Sequence, residues 1–113
     1  MRARYIRGSK ITYTSSLDDV IIALCRDYLR REDVVSVSGC NERTSIEYRY
    51  LNYRIKEAAD EIVGERYALL FIEDIGKKMG YARSRIEGFS ESDYKTMKRA
   101  LKLGIARALH LLD

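Results

Sequence analysis

The chain contains no proline in its 113 residues, and this feature constrains its fold more than any other. Proline lacks a backbone N–H and clashes with the preceding helical turn, so its absence removes the strongest helix breaker. Leu, Ala, Ile, Glu, Lys and Arg, most of which are good helix formers, are abundant. A chain of this length usually holds one domain with one core. The sequence therefore predicts a single all-α domain over residues 15–113.

Four stretches carry apolar residues at steps of three and four, the spacing of an amphipathic helix. These stretches begin near Ser16, Thr44, Glu65 and Ser90. A Ser or Thr side chain can accept a hydrogen bond from a first-turn amide, and Glu47 completes a capping box with Thr44. Gly80 stands where the third helix would end in a left-handed residue. We therefore expect a compact bundle of about four helices. Their approximate spans are 16–31, 44–63, 65–79 and 90–113.

The second of these helices is rich in tyrosine. Tyr48 belongs to its apolar stripe, and we expect Tyr50 and Tyr53 to widen that same face. The favoured interpretation is an ordinary core face with the hydroxyl groups at its rim. Stacking on nucleic-acid bases and a seam between two copies of the chain are the alternatives.

Residues 1–14 show no helical period. Arg2, Arg4 and Arg7 alternate there with apolar residues such as Tyr5 and Ile6, so we expect an extended basic arm. Terminal segments usually fray or pack at an edge, although a basic arm can also reach into a DNA groove.

The overall charge and the cysteines point to a cytoplasmic protein without a metal or cofactor. The net charge of +4 suits a polyanionic partner. No apolar run approaches the roughly 20 residues that span a bilayer, and no signal-peptide segment is visible, so no membrane partner is expected. Cys25 and Cys40 lack paired spacing, and His110 is the single histidine of the chain. We expect reduced thiols and no metal site.

No set of residues resembles a catalytic centre. Asp74 lies beside Glu73, but lysines follow closely and no histidine or cysteine is near in sequence, so we interpret both as solvated helix charges. No glycine loop has the spacing that cradles a nucleotide phosphate. We therefore expect that the chain is not an enzyme.

Residues 72–89 have the residue types of a helix-turn-helix. This motif requires a small residue at the helix crossing and a glycine in the turn, and Gly76 and Gly80 satisfy both requirements. A short second helix after the turn would expose Arg83, Ser84 and Arg85 at its start. Arginines in such a position contact phosphates or guanine edges. Two further candidate DNA contacts precede the turn, Lys77 and Lys78.

A second interpretation keeps the third helix as the first helix of the motif and takes the last helix as the element that contacts DNA. Its cations fall within about 100° of one another, and we expect them opposite the apolar stripe of the helix. This basic ridge consists of Lys95, Lys98, Arg99 and Lys102. Such a ridge is either a solvated face or a phosphate-binding surface.

Two strings in the second half of the chain suggest a family. Residues 73–81 read EDIGKKMGY and residues 92–100 read SDYKTMKRA, and over roughly residues 46–112 the chain resembles small phage-type transcriptional regulators of the RinA and ArpU kind. The resemblance implies a helix-turn-helix-like C-terminal half, DNA binding and control of transcription. It would place Lys95, Lys98 and Arg99 on the helix that contacts the DNA bases. The stretch 82–89 departs from the pattern because it is longer than the usual tight turn.

These observations predict a phage- or mobile-element-derived regulator that binds double-stranded DNA as a homodimer or higher homo-oligomer. The alternative is a non-catalytic helical adaptor that acts through dimer or partner-helix packing.

Overall fold

A computed structural model describes residues 13–37 and 41–112. The arm predicted over residues 1–14 therefore lies outside the described residues except for its last two, and Cys40 lies outside them as well. Thr14 has extended backbone angles and caps the first helix, where its hydroxyl accepts a hydrogen bond of 3.1 Å from the backbone N–H of Leu17.

The all-α prediction is confirmed, because the described residues form five α-helices and no strand. The helices are α1 (Ser15–Arg26), α2 (Tyr28–Ser36), α3 (Glu42–Val63), α4 (Ala68–Gly76) and α5 (Glu91–Ala108). A single 3₁₀ turn, Tyr81–Arg83, lies in the connection between α4 and α5.

The first predicted helix is in fact two helices, because the chain bends at Asp27. The bend turns Arg31 towards α3, where its guanidinium Nε donates a 2.7 Å hydrogen bond to the buried side chain of Asn52. The amide of Asn52 in turn donates to the backbone oxygen of Tyr28 and to the carboxylate of Glu32. A buried arginine needs such partners. This polar network holds α2 against α3.

The predicted helix starts are correct for α5 and wrong for α1, α3 and α4, since α4 begins at Ala68 rather than Glu65. Ser90 caps α5 and accepts from the N–H of Asp93, as the spacing predicted. The capping box at Thr44 is wrong because Asn41, a stronger N-cap residue, accepts from two first-turn amides and starts the helix earlier. Thr14 likewise replaces Ser16 as the cap of α1.

The end of α4 also differs from the prediction. The left-handed residue is Lys78, with φ 55°, whereas Gly80 has an ordinary φ of −89°. The backbone N–H of Met79 bonds to the oxygen of Asp74 at 2.8 Å, and the N–H of Lys78 bonds to Ile75 at 3.1 Å. This is the hydrogen-bond pattern of a Schellman helix end.

The core forms around α3, which packs against α2, α4 and α5, while α1 packs against α4. The largest fully buried side chains come from α1, α3, α4 and α5: Ile21, Ile55, Phe71, Ile72, Ile75, Tyr94, Leu101 and Ile105. Cys25 is a core residue, as predicted, and burial raises the pKa of its thiol to about 12. The prediction for Tyr50 and Tyr53 is wrong, since both are exposed. At 100° per residue they fall opposite the buried face of α3 rather than beside it.

Gly76 lies at a close crossing between α4 and α1. A Cβ atom added there would lie 2.7 Å from the backbone N and Cα of Arg26 at the end of α1. The sequence correctly predicted a small residue at a helix crossing. The partner, however, is α1 rather than a second helix after Gly80.

Candidate nucleic-acid interface

The short helix predicted after Gly80 does not form. The 3₁₀ turn ends at Arg83, and the following residues run without regular structure to the start of α5. Gly88, which falls within the predicted helix-turn-helix of residues 72–89, has a φ of 95°. Arg83 and Arg85 are exposed, but on an irregular connection rather than at a helix start.

Ser84 is turned inwards, so the prediction that it is an exposed DNA contact is wrong. Its hydroxyl donates a 2.6 Å hydrogen bond to the carboxylate of Asp74 and accepts one from the N–H of Ile86. The Tyr94 hydroxyl donates to the same carboxylate at 2.7 Å. Asp74 is only 6% exposed, so it is a buried anchor and not a solvated charge. Glu73 is exposed as predicted.

Tyr94 joins this anchor to the basic face of α5. Burial and the hydrogen bond to Asp74 raise the pKa of Tyr94 to about 12, which keeps its hydroxyl protonated as a donor. The ammonium of Lys98 lies 5.3 Å from the centre of the Tyr94 ring and donates to the backbone oxygen of Met79. These contacts fasten the start of the connection to the first two turns of α5.

A basic groove lies between the beginning of α1 and α5. Its volume is about 530 Å³. Four cations line it together with one carboxylate, a tyrosine and a leucine: Lys95, Lys98, Arg99, Lys102, Asp18, Tyr13 and Leu103. The structure thus brings together all four cations that the sequence predicted for the last helix.

The ridge is not opposite the apolar stripe of α5, as the sequence analysis predicted. At 3.6 residues per turn its centre lies about 110° from the centre of the stripe, so one edge of the ridge borders the core. Lys98 and Lys102 are therefore half-buried, whereas Lys95 and Arg99 are exposed on the solvent side. Lys95 pairs with Glu91 at 2.9 Å, but both side chains are at least 60% exposed, so this surface pair is weak.

Asp18 is the carboxylate that organises the groove. It accepts a 2.7 Å hydrogen bond from the Tyr13 hydroxyl and forms an ion pair with Lys102 at 3.1 Å. Burial alone would raise the pKa of Asp18, but these two partners and the charge of Lys78 outweigh it and hold the pKa below its usual value. Lys78 itself does not line the basic groove. Burial and the neighbouring charge of Lys102 lower the pKa of Lys98.

Lys77 does not line the basic groove either. It pairs with Glu73 at 3.4 Å and borders an apolar groove between the α1–α2 bend and α4. Three exposed leucines line that apolar groove, Leu29, Leu69 and Leu70. The sequence signal for this groove is the position of Leu69 and Leu70, which at 100° per residue fall on the side of α4 away from the buried residues Phe71, Ile72 and Ile75.

Comparisons with known protein families, with curated proteins and with solved structures found no match to this chain. Within the described ranges, no helix is long and apolar enough to cross a membrane. The same residues contain no group of three or more His, Cys, Asp or Glu side chains placed to hold a metal ion.

Proposed function

We propose that this protein binds double-stranded DNA through the basic groove and acts as a regulator of transcription. The observation that carries the proposal is the convergence of Lys95, Lys98, Arg99 and Lys102 on one groove that a single carboxylate, Asp18, also lines. Such a surface attracts a polyanion, because each phosphate that a cation neutralises releases condensed counterions from the duplex.

The division of the four cations into two pairs supports this function. The backbone oxygen of Met79 holds the Lys98 ammonium and the carboxylate of Asp18 holds that of Lys102, so these two positive charges have fixed positions in the groove. Lys95 and Arg99 lie one turn apart on the exposed side and are able to reach phosphates or base edges. Burial is the larger cause that lowers the pKa of Lys98 and the charge of Lys102 is the second, and an added anion would reduce the repulsion between these two cations.

The regulatory role, and an origin in a phage or mobile element, rest on the resemblance of residues 73–81 and 92–100 to regulators of the RinA and ArpU kind. In this proposal α5 is the reading element. The connection of residues 77–90 takes the place of a tight turn.

The proposal is tested by fluorescence anisotropy of a labelled random duplex across a salt series. Phosphate binding predicts that the logarithm of affinity falls by about 0.9 per contact for each unit of log salt. Four cations predict a slope of about −3 to −4 on this basis. An affinity too weak to detect at about 50 mM salt, where nonspecific binding is strong, contradicts the proposal.

The apolar groove favours a second candidate function, that of a non-catalytic adaptor. Its three exposed leucines line the groove together with Arg26, Glu73 and Lys77. An amphipathic helix of a partner protein with apolar anchors has the complementary chemistry. Replacing Leu29 and Leu70 by Ser would abolish such a partnership and leave DNA binding unchanged, which separates the two functions.

A further inference from the structure

We infer that Asp18 competes with DNA phosphates for Lys102 and thereby limits the affinity of the basic groove for nonspecific DNA. This inference rests on the proposed DNA binding and names a residue that regulates it. Its evidence is the position of the Asp18 carboxylate among the cations of the groove, together with the limited exposure of the ion pair that it forms.

Asp18 is the one carboxylate among the described residues that line the basic groove. Its oxygen Oδ1 accepts a 2.7 Å hydrogen bond from the Tyr13 hydroxyl and lies 3.1 Å from the ammonium nitrogen of Lys102. Asp18 also belongs to the first turn of α1, where the helix dipole favours a negative charge. Three interactions therefore stabilise a negative charge inside a surface that otherwise attracts anions.

The ion pair between Asp18 and Lys102 is better protected from solvent than the pair between Lys95 and Glu91. The side chains of Lys102 and Asp18 are 23% and 30% exposed, whereas those of Lys95 and Glu91 are 63% and 60% exposed. Water and salt screen an exposed pair more strongly than a partly buried one. Glu91 therefore restrains Lys95 only weakly, whereas Asp18 holds Lys102 in place.

A phosphate that approaches Lys102 meets the charge of Asp18. A phosphate oxygen bonded to the Lys102 ammonium would lie within about 6 Å of the Asp18 oxygen, since each would be about 3 Å from the same nitrogen. Two anions at such a distance repel each other. Binding of a phosphate at Lys102 therefore requires either this repulsion or the loss of the ion pair.

The competition affects nonspecific binding most. Phosphate contacts supply nonspecific affinity, whereas contacts to base edges carry the sequence information. A carboxylate that withholds Lys102 from phosphates leaves Lys95 and Arg99 on the exposed side to contact DNA. We therefore expect the wild-type salt slope near the shallower end of the range that four cations allow. A regulator gains from this arrangement because its function depends on the ratio of specific to nonspecific affinity.

Fluorescence anisotropy of a labelled random duplex across a salt series tests the inference with the variant Asp18→Asn. Asparagine keeps the shape of the side chain and an oxygen that can accept from Tyr13, but it removes the charge that holds Lys102. We expect roughly tenfold tighter binding at about 50 mM salt and a slope steeper by about 0.9, the increment for one further phosphate contact. Unchanged or weaker binding by a variant that circular dichroism shows to be folded would overturn the inference.

Glu91→Gln is the matched control, because it removes a carboxylate from the other ion pair and makes the same change in net charge. Glu91 does not line the groove and its pair is exposed, so we expect an affinity and a slope close to those of the wild-type protein. An equal gain in both variants would mean that net charge alone strengthens binding, and it would overturn the inference.

The variant Lys102→Ala tests whether Lys102 is the cation that Asp18 withholds. In the wild-type background it should leave the slope nearly unchanged, because Lys102 makes no phosphate contact there. In the Asp18→Asn background it should remove the whole gain in slope. An equal loss of slope in both backgrounds would mean that Lys102 contacts phosphate regardless of Asp18, which contradicts the inference.

Failure of this inference is distinguishable from failure of the proposed function. If the wild-type protein and Asp18→Asn bind the duplex with the same affinity and slope, DNA binding stands and the competition by Asp18 is wrong. If neither protein binds the duplex at about 50 mM salt, the proposed DNA binding is wrong and the inference is wrong with it.

Discussion

The hydroxyl of Tyr94 donates a 2.7 Å hydrogen bond to the buried carboxylate of Asp74, and this contact joins the end of α4 to the first turn of α5. Ser84 donates to the same carboxylate from the connection between the two helices. Three separate segments are thus tied to one buried charge. The position of α5, and with it the orientation of the basic groove, depends on this anchor.

Replacing Tyr94 by Phe should therefore destabilise the fold. The substitution keeps the ring but removes one of the two hydroxyl donors to a buried carboxylate, which costs about 1–3 kcal/mol of unfolding free energy. Urea unfolding followed by circular dichroism measures the loss. Tyr81→Phe is the matched control, because the Tyr81 hydroxyl donates to the backbone oxygen of Phe89 in an exposed setting. Equal effects of the two substitutions would contradict the anchoring role of Asp74.

Gly76→Ala should be among the more disruptive small substitutions in the chain. The added Cβ would meet the backbone of Arg26 at 2.7 Å, and backbone atoms cannot move aside as the end of a side chain can. Overpacking of this kind costs about 1–3 kcal/mol. Gly80→Ala provides the comparison, since its Cβ would meet no atom within 4 Å and its φ of −89° suits alanine. Thermal unfolding should show a clear drop for the first variant and little change for the second.

Lys78→Gly should stabilise the protein. Lys78 ends α4 with φ 55°, a left-handed conformation that glycine adopts without the steric penalty of a side chain. We expect a gain of about 0.5–1 kcal/mol in the free energy of unfolding. Lys77→Gly is the control, because Lys77 has φ −90° and glycine there only adds flexibility to the unfolded chain. A loss of stability in both variants would rule out strain at Lys78.

Asp18 should make the stability of the protein depend on pH in the acid range. Its hydrogen bonds and ion pair hold the pKa of the folded state below that of the unfolded chain, which is about 3.9. Its contribution is therefore complete above the unfolded pKa and is lost as the pH falls through the folded pKa. Urea unfolding of Asp18→Asn at neutral and acid pH should show a smaller loss on acidification than the wild-type protein. An identical loss in both proteins would contradict the assigned role of Asp18.

The sequence predicted the all-α class correctly because the spacing of apolar residues and the absence of proline are properties of long stretches of the chain. It placed the end of α3 and the cap at Ser90 correctly, since both depend on local chemistry. The bend at Asp27 could not be predicted in this way. It is stabilised by the contact between Arg31 and Asn52, which are distant in sequence.

The candidate site shows the same division between local and long-range information. The four cations of α5 were found because they share one helix. The inward turn of Ser84 was missed because it depends on Asp74 and on a connection without regular structure. The exposure of Tyr50 and Tyr53 was open to prediction, since counting 100° per residue places both away from the buried face of α3.

The central claim, that the basic groove of α5 binds duplex DNA, is tested most directly by the salt dependence of DNA affinity in two double variants. We predict that Lys95→Ala/Arg99→Ala makes the slope of log affinity against log salt less steep by about 0.9 for each phosphate contact that is lost. Arg83→Ala/Arg85→Ala removes two exposed cations that do not line the groove, and it should leave the slope nearly unchanged. A slope that becomes less steep in the Arg83 and Arg85 variant but not in the Lys95 and Arg99 variant would contradict DNA binding through the basic groove.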